Sequence, residues 1–286
     1  MARLIHTSLE LKASSFLTMA DPAPNIQLLQ ACVDPEDESY FRLLVDKKSF
    51  KYITIDVGLY DPDDMCFGPA LISLLPPLPQ GDWNTGHVSR DAVTGKPHFA
   101  TVSKVNLPRV TKTWHPVEID YLELRMGRKL RSNVYEATCP RLGESTVIVK
   151  FARFHWEVGY LERETEAYEW IEGHGIGPAF LGHLAEEGRI IGFIVERVED
   201  FRHAGLEDME LCRKALRKLH SLGIKHGDTN KHNFLVQDGE ATLVDFDHAG
   251  RGVGKDKLEE EMGGLEEQLG DMSGRGGRII ETDSPS

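Results

Sequence analysis

Apolar positions fall into short, separated runs along most of this chain, and three stretches carry a helical period. Residues 125–152, RMGRKLRSNVYEATCPRLGESTVIVKFA, predict strand, tight turn, strand, turn, strand. Residues 156–173 set Tyr160, Leu161, Ala167, Tyr168 and Ile171 at helical spacing and stop at Gly173. Two strands follow, Phe180 to Leu184 and Arg189 to Val195, turned by Glu186-Glu187-Gly188. From Glu207 to Leu222, a stripe of Cys212, Ala215, Leu216, Leu219 and Leu222 predicts a second helix, which Gly223 ends. The runs Phe234–Val236 and Ala241–Val244 meet at Gln237-Asp238-Gly239 and read as a hairpin. Lys255 to Met272 predicts a third helix, amphipathic on Leu258, Met262, Leu265 and Leu269.

The front of the chain is less regular. Residues 1–38 mix apolar and polar groups around Pro22, Pro24 and Pro35, and we expect a short helix over Asn25 to Cys32 and loop elsewhere. Phe50, Tyr52, Ile53 and Ile55 mark a strand, and Asp61-Pro62-Asp63-Asp64 an acidic turn. The Pro-rich residues 74–98, about 25 in number, have little periodicity. They suit a rigid connector or a loop over a substrate better than an SH3-type ligand. Phe99 to Val105 and Val117 to Arg125 read as strands, and SGRGGRIIETDSPS as a disordered tail.

At 286 residues the chain can hold one large domain or two small ones. A net charge of −13 disfavours a nucleic-acid surface. Cys32, Cys66, Cys139 and Cys212 are scattered, which argues against a zinc site or a dense disulfide framework. The first 20 residues lack the continuous apolar core of a signal peptide, and no run approaches the roughly 18 apolar residues of a membrane span. A cytoplasmic setting is expected, with a nuclear one also compatible.

Chemistry concentrates in residues 219–249, LHSLGIKHGDTNKHNFLVQDGEATLVDFDHA. The hairpin holds Asp228, Asn233 and Asp245 at one end of its strand pair. An aspartate can take a hydroxyl's proton, while an asparagine and a second aspartate offer hard oxygens to Mg²⁺. Together these suit phosphoryl transfer. Lys150 ends the apolar run Val147-Ile148-Val149; it either snorkels to water or points to a partner or ligand, because burying it alone is costly.

His226-Gly227-Asp228, four residues, Asn233 and then Asp245-Phe246-Asp247 resemble the catalytic and metal loops of the protein-kinase-like superfamily. The His-Gly-Asp form is similar to the aminoglycoside phosphotransferase and small atypical kinase branches. The wider texture (HGIGPAFLGHL, SGRGG) resembles fungal kinase-like proteins, some of which carry an α-galactosidase label. No motif here marks the paired carboxylates such a glycosidase needs. The resemblance covers residues 121–270 and is weakest at the phosphate-covering loop, which has only Gly127, followed by Arg128, Lys129, Arg131 and Ser132.

The resemblance implies an α+β, two-lobe fold: an N-terminal extension over 1–120, an N-lobe over 121–198, a reduced C-lobe over 199–270 and a tail over 271–286. It implies ATP and Mg²⁺ as cofactors, Asp228 as base, Asn233 and Asp245 as metal ligands, and Lys150 on the phosphates. Glu164 pairs the lysine, with Glu162 the near alternative. Glu196, Arg197 and Val198 fall at the adenine hinge, and His226 braces the catalytic loop. Asp247 either supports the metal or caps a turn. Only 39 residues follow Asp247, so acceptor recognition is expected from the extension, the hinge-to-helix segment or a protein partner completing the C-lobe. The acceptor is a hydroxyl, on a small molecule in preference to a protein. The competing reading is a pseudokinase-like binding module, favoured by the few glycines and opposed by the joint presence of Lys150, Asp228, Asn233 and Asp245.

Overall fold

The structure is a computed structural model and describes residues 24–273. The signal-peptide reading of the first 20 residues, and the tail reading from 274 onward, lie outside the described residues.

Five strands, β1 (Ile26–Cys32), β2 (Ser39–Val45), β3 (Ser49–Ile55), β4 (Thr85–Arg90) and β5 (Pro97–Ser103), form a first sheet in that order. Only β3 and β4 run parallel, so a crossover must join them, and it holds α1 (Pro62–Cys66) and α2 (Gly68–Leu74). The acidic turn read at 61–64 starts α1: Asp61 accepts the amide of Asp63 as an N-cap, and Pro62 opens the helix.

Three expectations are corrected here. The strand read over Val117 to Arg125 holds only at 118–120, because Asp120 caps a 3-10 turn over Tyr121–Glu123 before the next strand starts at Arg125. Residues 26–32 form a strand, not a helix, pairing antiparallel with β2. Seven residues are too few to hold a helix without tertiary support, whereas an open β2 edge supplies partners for the backbone. The Pro-rich stretch is not all loop either. Its residues 85–90 form β4, bonded on both sides, with Gly86 letting the Phe99 and Trp83 rings come within 3.2 Å of where a Cβ would stand.

The second sheet comprises β6 (Glu118–Asp120), β7 (Arg125–Arg131), β8 (Val134–Thr138), β9 (Val147–Phe151), β10 (Phe180–Glu186) and β11 (Arg189–Glu196), in the order β6-β10-β11-β9-β8-β7. Helix α3 (Val158–Ile171) lies between β9 and β10 in the chain. Next come β12 (Arg202–His203), α4 (Met209–Ser221), β13 (Ile224–Lys225), the hairpin β14 (Phe234–Gln237) and β15 (Glu240–Leu243), β16 (Gly250–Arg251), and α5 (Lys255–Gly270). The architecture is mixed α+β.

Strand alternation decides how the first sheet is used. Phe41 and Leu43 of β2 pack with Met65, Leu71 and Trp83 on one face. Leu44 and Phe50 face the other way, into a core shared with Ile119, Tyr121, Phe151, Leu184 and Ile194. On that same face Arg42 is fully buried, its guanidinium on the Glu186 carboxylate and over the Tyr121 ring at 4.3 Å. The first sheet and the second therefore share a core and a buried ion pair.

Candidate functional site

Gly223 takes a positive φ of 69° at the end of α4 and turns the chain into β13 and the loop at His226. The His226 ring is buried; its Nδ1 accepts the Asp228 amide at 3.3 Å and its Nε2 donates to the Val244 carbonyl at 3.1 Å. That pattern needs a neutral ring, and burial pushes its pKa down. His226 thus ties the first loop to the strand that leads into the second. Gly227 has φ 86°, and a Cβ there would stand 2.3 Å from the His248 carbonyl oxygen.

The carboxamide of Asn233 donates to the Asp228 carbonyl at 3.0 Å and to its Oδ2 at 3.2 Å, and Asn230 donates to the same Oδ2 at 3.0 Å. Asp228 Oδ1 has no hydrogen-bond partner among the described residues. Asn233 Oδ1 is buried and equally without one. A buried carboxamide oxygen left bare is costly, and its position beside an aspartate suits a hard cation.

Lys150, on β9, reaches two carboxylates: Glu164 of α3 at 2.6 Å and Asp245 at 2.5 Å. Burial alone would lower the lysine's pKa, but the two carboxylates raise it. They do not share the ammonium evenly. Asp245 is held down to about 2 despite its burial, by Lys150 and then Arg131. Glu164 is pushed up to about 7 by burial, with Asp245 adding to the rise and Lys150 opposing it. Glu162, the alternative partner, lies on another face of α3 and accepts from Thr111 instead.

Arg131, one of the basic residues replacing glycine in β7, donates to Asp245 Oδ2 at 2.9 Å. Both oxygens of Asp245 are therefore engaged by cations. Arg128 and Arg197 turn to Glu136, at 2.9 and 3.2 Å. Asp247 lies 3.1 Å from His248 Nδ1.

Lys150, Glu164, Asp245, Glu196 and Val198 line one cleft of about 360 Å³, walled by Val134, Ile148, Phe193, Val195, Leu235 and Val244. Asp228 and Asn233 adjoin it through the hairpin: the Asn233 carbonyl accepts the Val244 amide at 3.0 Å. The arrangement is an apolar slot ending in ammonium, guanidinium and carboxylate groups, with a partly exposed aspartate beyond.

Asn230 and one further residue, Glu261, escaped the sequence reading. Glu261 of α5 accepts the amides of His226 at 3.0 Å and Gly227 at 2.6 Å, and lies 2.7 Å from His220 Nε2. Burial works to raise its pKa, but these three donors hold it below the usual glutamate range. A signal existed. Glu261 stands on the apolar stripe of α5, three residues after Leu258 and four before Leu265.

Residues 204–269 match the family model of the lipopolysaccharide kinase (Kdo/WaaP) family. That span contains the whole of both loops and Glu261. The likeness is to kinases. A RIO-type serine/threonine-protein kinase Rio1 of Haloferax volcanii is 28% identical over 64 residues, 21% of this chain and 22% of that protein. A probable bifunctional tRNA threonylcarbamoyladenosine biosynthesis protein of Methanothermobacter thermautotrophicus is 31% identical over 101 residues, 34% of this chain and 18% of that protein. The chain thus spans about a fifth of the length of these curated relatives. The expected resemblance to the protein-kinase-like superfamily holds. No helix among the described residues is long and apolar enough to cross a membrane.

Proposed function

We propose that the protein is an ATP- and Mg²⁺-dependent phosphotransferase acting on a hydroxyl acceptor. The observation that carries this reading is the meeting of Lys150, Glu164 and Asp245 at the end of an apolar cleft. The cleft's apolar walls and the 196–198 segment suit a nucleotide base. In this reading the cleft divides an N-lobe, over 121–198, from a reduced C-lobe.

Each side chain has a task in such a reaction. Glu164 orients Lys150 toward the phosphates, and Arg131 adds positive charge where the loop lacks glycine. Asn230 and Asn233 hold one oxygen of Asp228, leaving Oδ1 to accept the acceptor's proton. The residues present fit a magnesium ion. Asn233 Oδ1 is a buried oxygen without a partner, and Asp245 supplies an ionised carboxylate once the phosphates draw Lys150 and Arg131 to themselves. When bound, Mg²⁺ neutralises charge on the transferring phosphoryl group. The His-Gly-Asp form of the base loop favours a small-molecule acceptor over a protein.

One observation favours a second reading, a nucleotide-binding module without turnover: both Asp245 oxygens are engaged by cations. The two readings separate by experiment. Melting with ATP, with and without Mg²⁺, should give a rise of several degrees that needs both; ligand at 100 times its Kd stabilises by about 2.7 kcal/mol. Asp228→Asn should abolish ATP turnover while keeping that rise. Equal turnover in wild type and Asp228→Asn would remove the assigned base. No rise at millimolar ATP would remove the nucleotide site.

A further inference from the structure

The segment joining the two sheets does more than connect them. Residues 108–117 are fastened at both ends to the second sheet. At the near end Arg189 donates to the Pro108 carbonyl at 2.8 Å, and the Val110 amide donates to the Ile190 carbonyl at 2.9 Å. At the far end the Trp114 ring packs against Phe180 with centroids 4.7 Å apart, and the His115 amide donates to His183 Nε2 at 3.1 Å.

Between these anchors the segment lies against α3. Thr111 gives its amide and hydroxyl to the Glu162 carboxylate, at 2.6 and 2.5 Å. Lys112 meets Glu166 at 3.0 Å. The Trp114 indole N–H donates to the Thr165 carbonyl at 3.0 Å. Residues 162, 165 and 166 share one face of the helix. Glu164, two positions from Glu162, points away from that face to Lys150.

We infer that residues 108–117 form a strap that positions α3, so that the first sheet and its connection keep Glu164 in register with Lys150 for nucleotide binding. Thr111 and Trp114 are then positioning residues. The inference rests on the nucleotide reading above and gives the N-terminal part a role within it. A helix held on one face by three successive side-chain contacts cannot slide or rotate without breaking them. Glu164 lies on the middle turn of that helix, so its carboxylate is steady only while the strap is.

The test uses the full chain carrying Trp114→Phe, which keeps the ring and removes the indole donor, and separately Glu162→Gln, which removes the charge that Thr111 binds. Hydrogen exchange is followed without nucleotide, and ATP·Mg and adenosine binding are measured by calorimetry. In both variants exchange across 158–171 should quicken about tenfold while 209–221 stays as in wild type. ATP affinity should fall about fivefold and adenosine affinity should hold, because adenosine has no phosphate for Lys150 to grip. A general packing defect would weaken both ligands alike and overturn the inference. Unchanged exchange in α3 also overturns it, whatever the nucleotide does. Faster exchange with ATP affinity intact removes the link to Lys150. No ATP binding by the wild type, with α3 exchange still quickened in the variants, overturns the nucleotide reading and with it the role assigned to the strap, while α3 support by the strap stands.

Discussion

Two carboxylates contend for one ammonium at Lys150, and the contest has a consequence for pH. Glu164, pushed up to about 7, holds its proton more tightly in the folded chain than in the unfolded one. Its contribution to stability is therefore full below the unfolded value of about 4.5 and is lost as pH rises through 7. Glutamine imitates the protonated side chain. Glu164→Gln should accordingly melt no lower than wild type at pH 8, lose relative stability as pH falls toward 5, and bind ATP more weakly at pH 8, where wild type carries the carboxylate, with the difference closing as pH falls toward 5. A variant that melts well below wild type at pH 8 would mean that the Lys150 pair stabilises the fold and that burial does not dominate at Glu164. The composition of this site was legible in the chain, since Lys150, Asp228, Asn233 and Asp245 come in kinase order. The choice of Glu164 over Glu162 was not, because it depends on which face of α3 the strap covers.

At the level of elements, the loop carrying Asp228 is suspended between α5 and the 245–248 turn. Glu261 binds two of its amides, and Gly227 lets it pass under the His248 carbonyl. Alanine at 227 meets both a left-handed backbone and that oxygen. We expect Gly227→Ala to cost more than about 2 kcal/mol. It should also cut turnover more steeply than ATP binding, because it displaces Asp228 and leaves the cleft walls alone. Glu261→Gln should lower stability by about 2 kcal/mol, the loss expected for hydrogen bonds to a charged acceptor. In wild type this share of stability is present above the usual glutamate range and fades as pH falls below it, since the folded pKa of Glu261 is lowered. Thermal melts at pH 7 and pH 4 check the second point: the gap between wild type and Glu261→Gln should narrow in acid.

Across the whole molecule, the buried Arg42–Glu186 pair and the shared core join the first sheet to the second. Glu186 also takes Arg189 at 2.6 Å and the Tyr52 hydroxyl at 2.6 Å, so its charge has other partners when Arg42 goes. Arg42→Met should still cost about 3 kcal/mol, at the low end for breaking a buried pair, and drop Tm by roughly 8 °C. The loss should come as one transition, because the two sheets share side chains in one core. Separate transitions for the two sheets would contradict that. His183 adds an acid limit to the same region. Burial and the nearby His115 lower its pKa to about 4, so the stability it lends above pH 6.5 drains away between pH 6.5 and 4.

From residue 125 to 270 the longer strands, the helices, the hairpin and both loops could be read locally, from apolar runs or stripes bounded by turn residues, whereas the two-residue strands β12, β13 and β16 could not. The same reading failed at 26–32 and 85–90 and passed over β2. β1 has apolar residues that fit either period, β2 carries the charged Arg42 and β4 holds few apolar residues, so each is decided by the strands it pairs with. Arg42 reads as a surface charge until Glu186, 144 positions away, is seen beneath it. Glu261 reads as a solvated helix charge until the loop amides are seen above it. What the sequence determined by itself was the local periodicity and the order of the reactive groups. What only the tertiary structure decided was which charges are buried, and against whom, since burial and pairing across long separations leave no mark on local spacing.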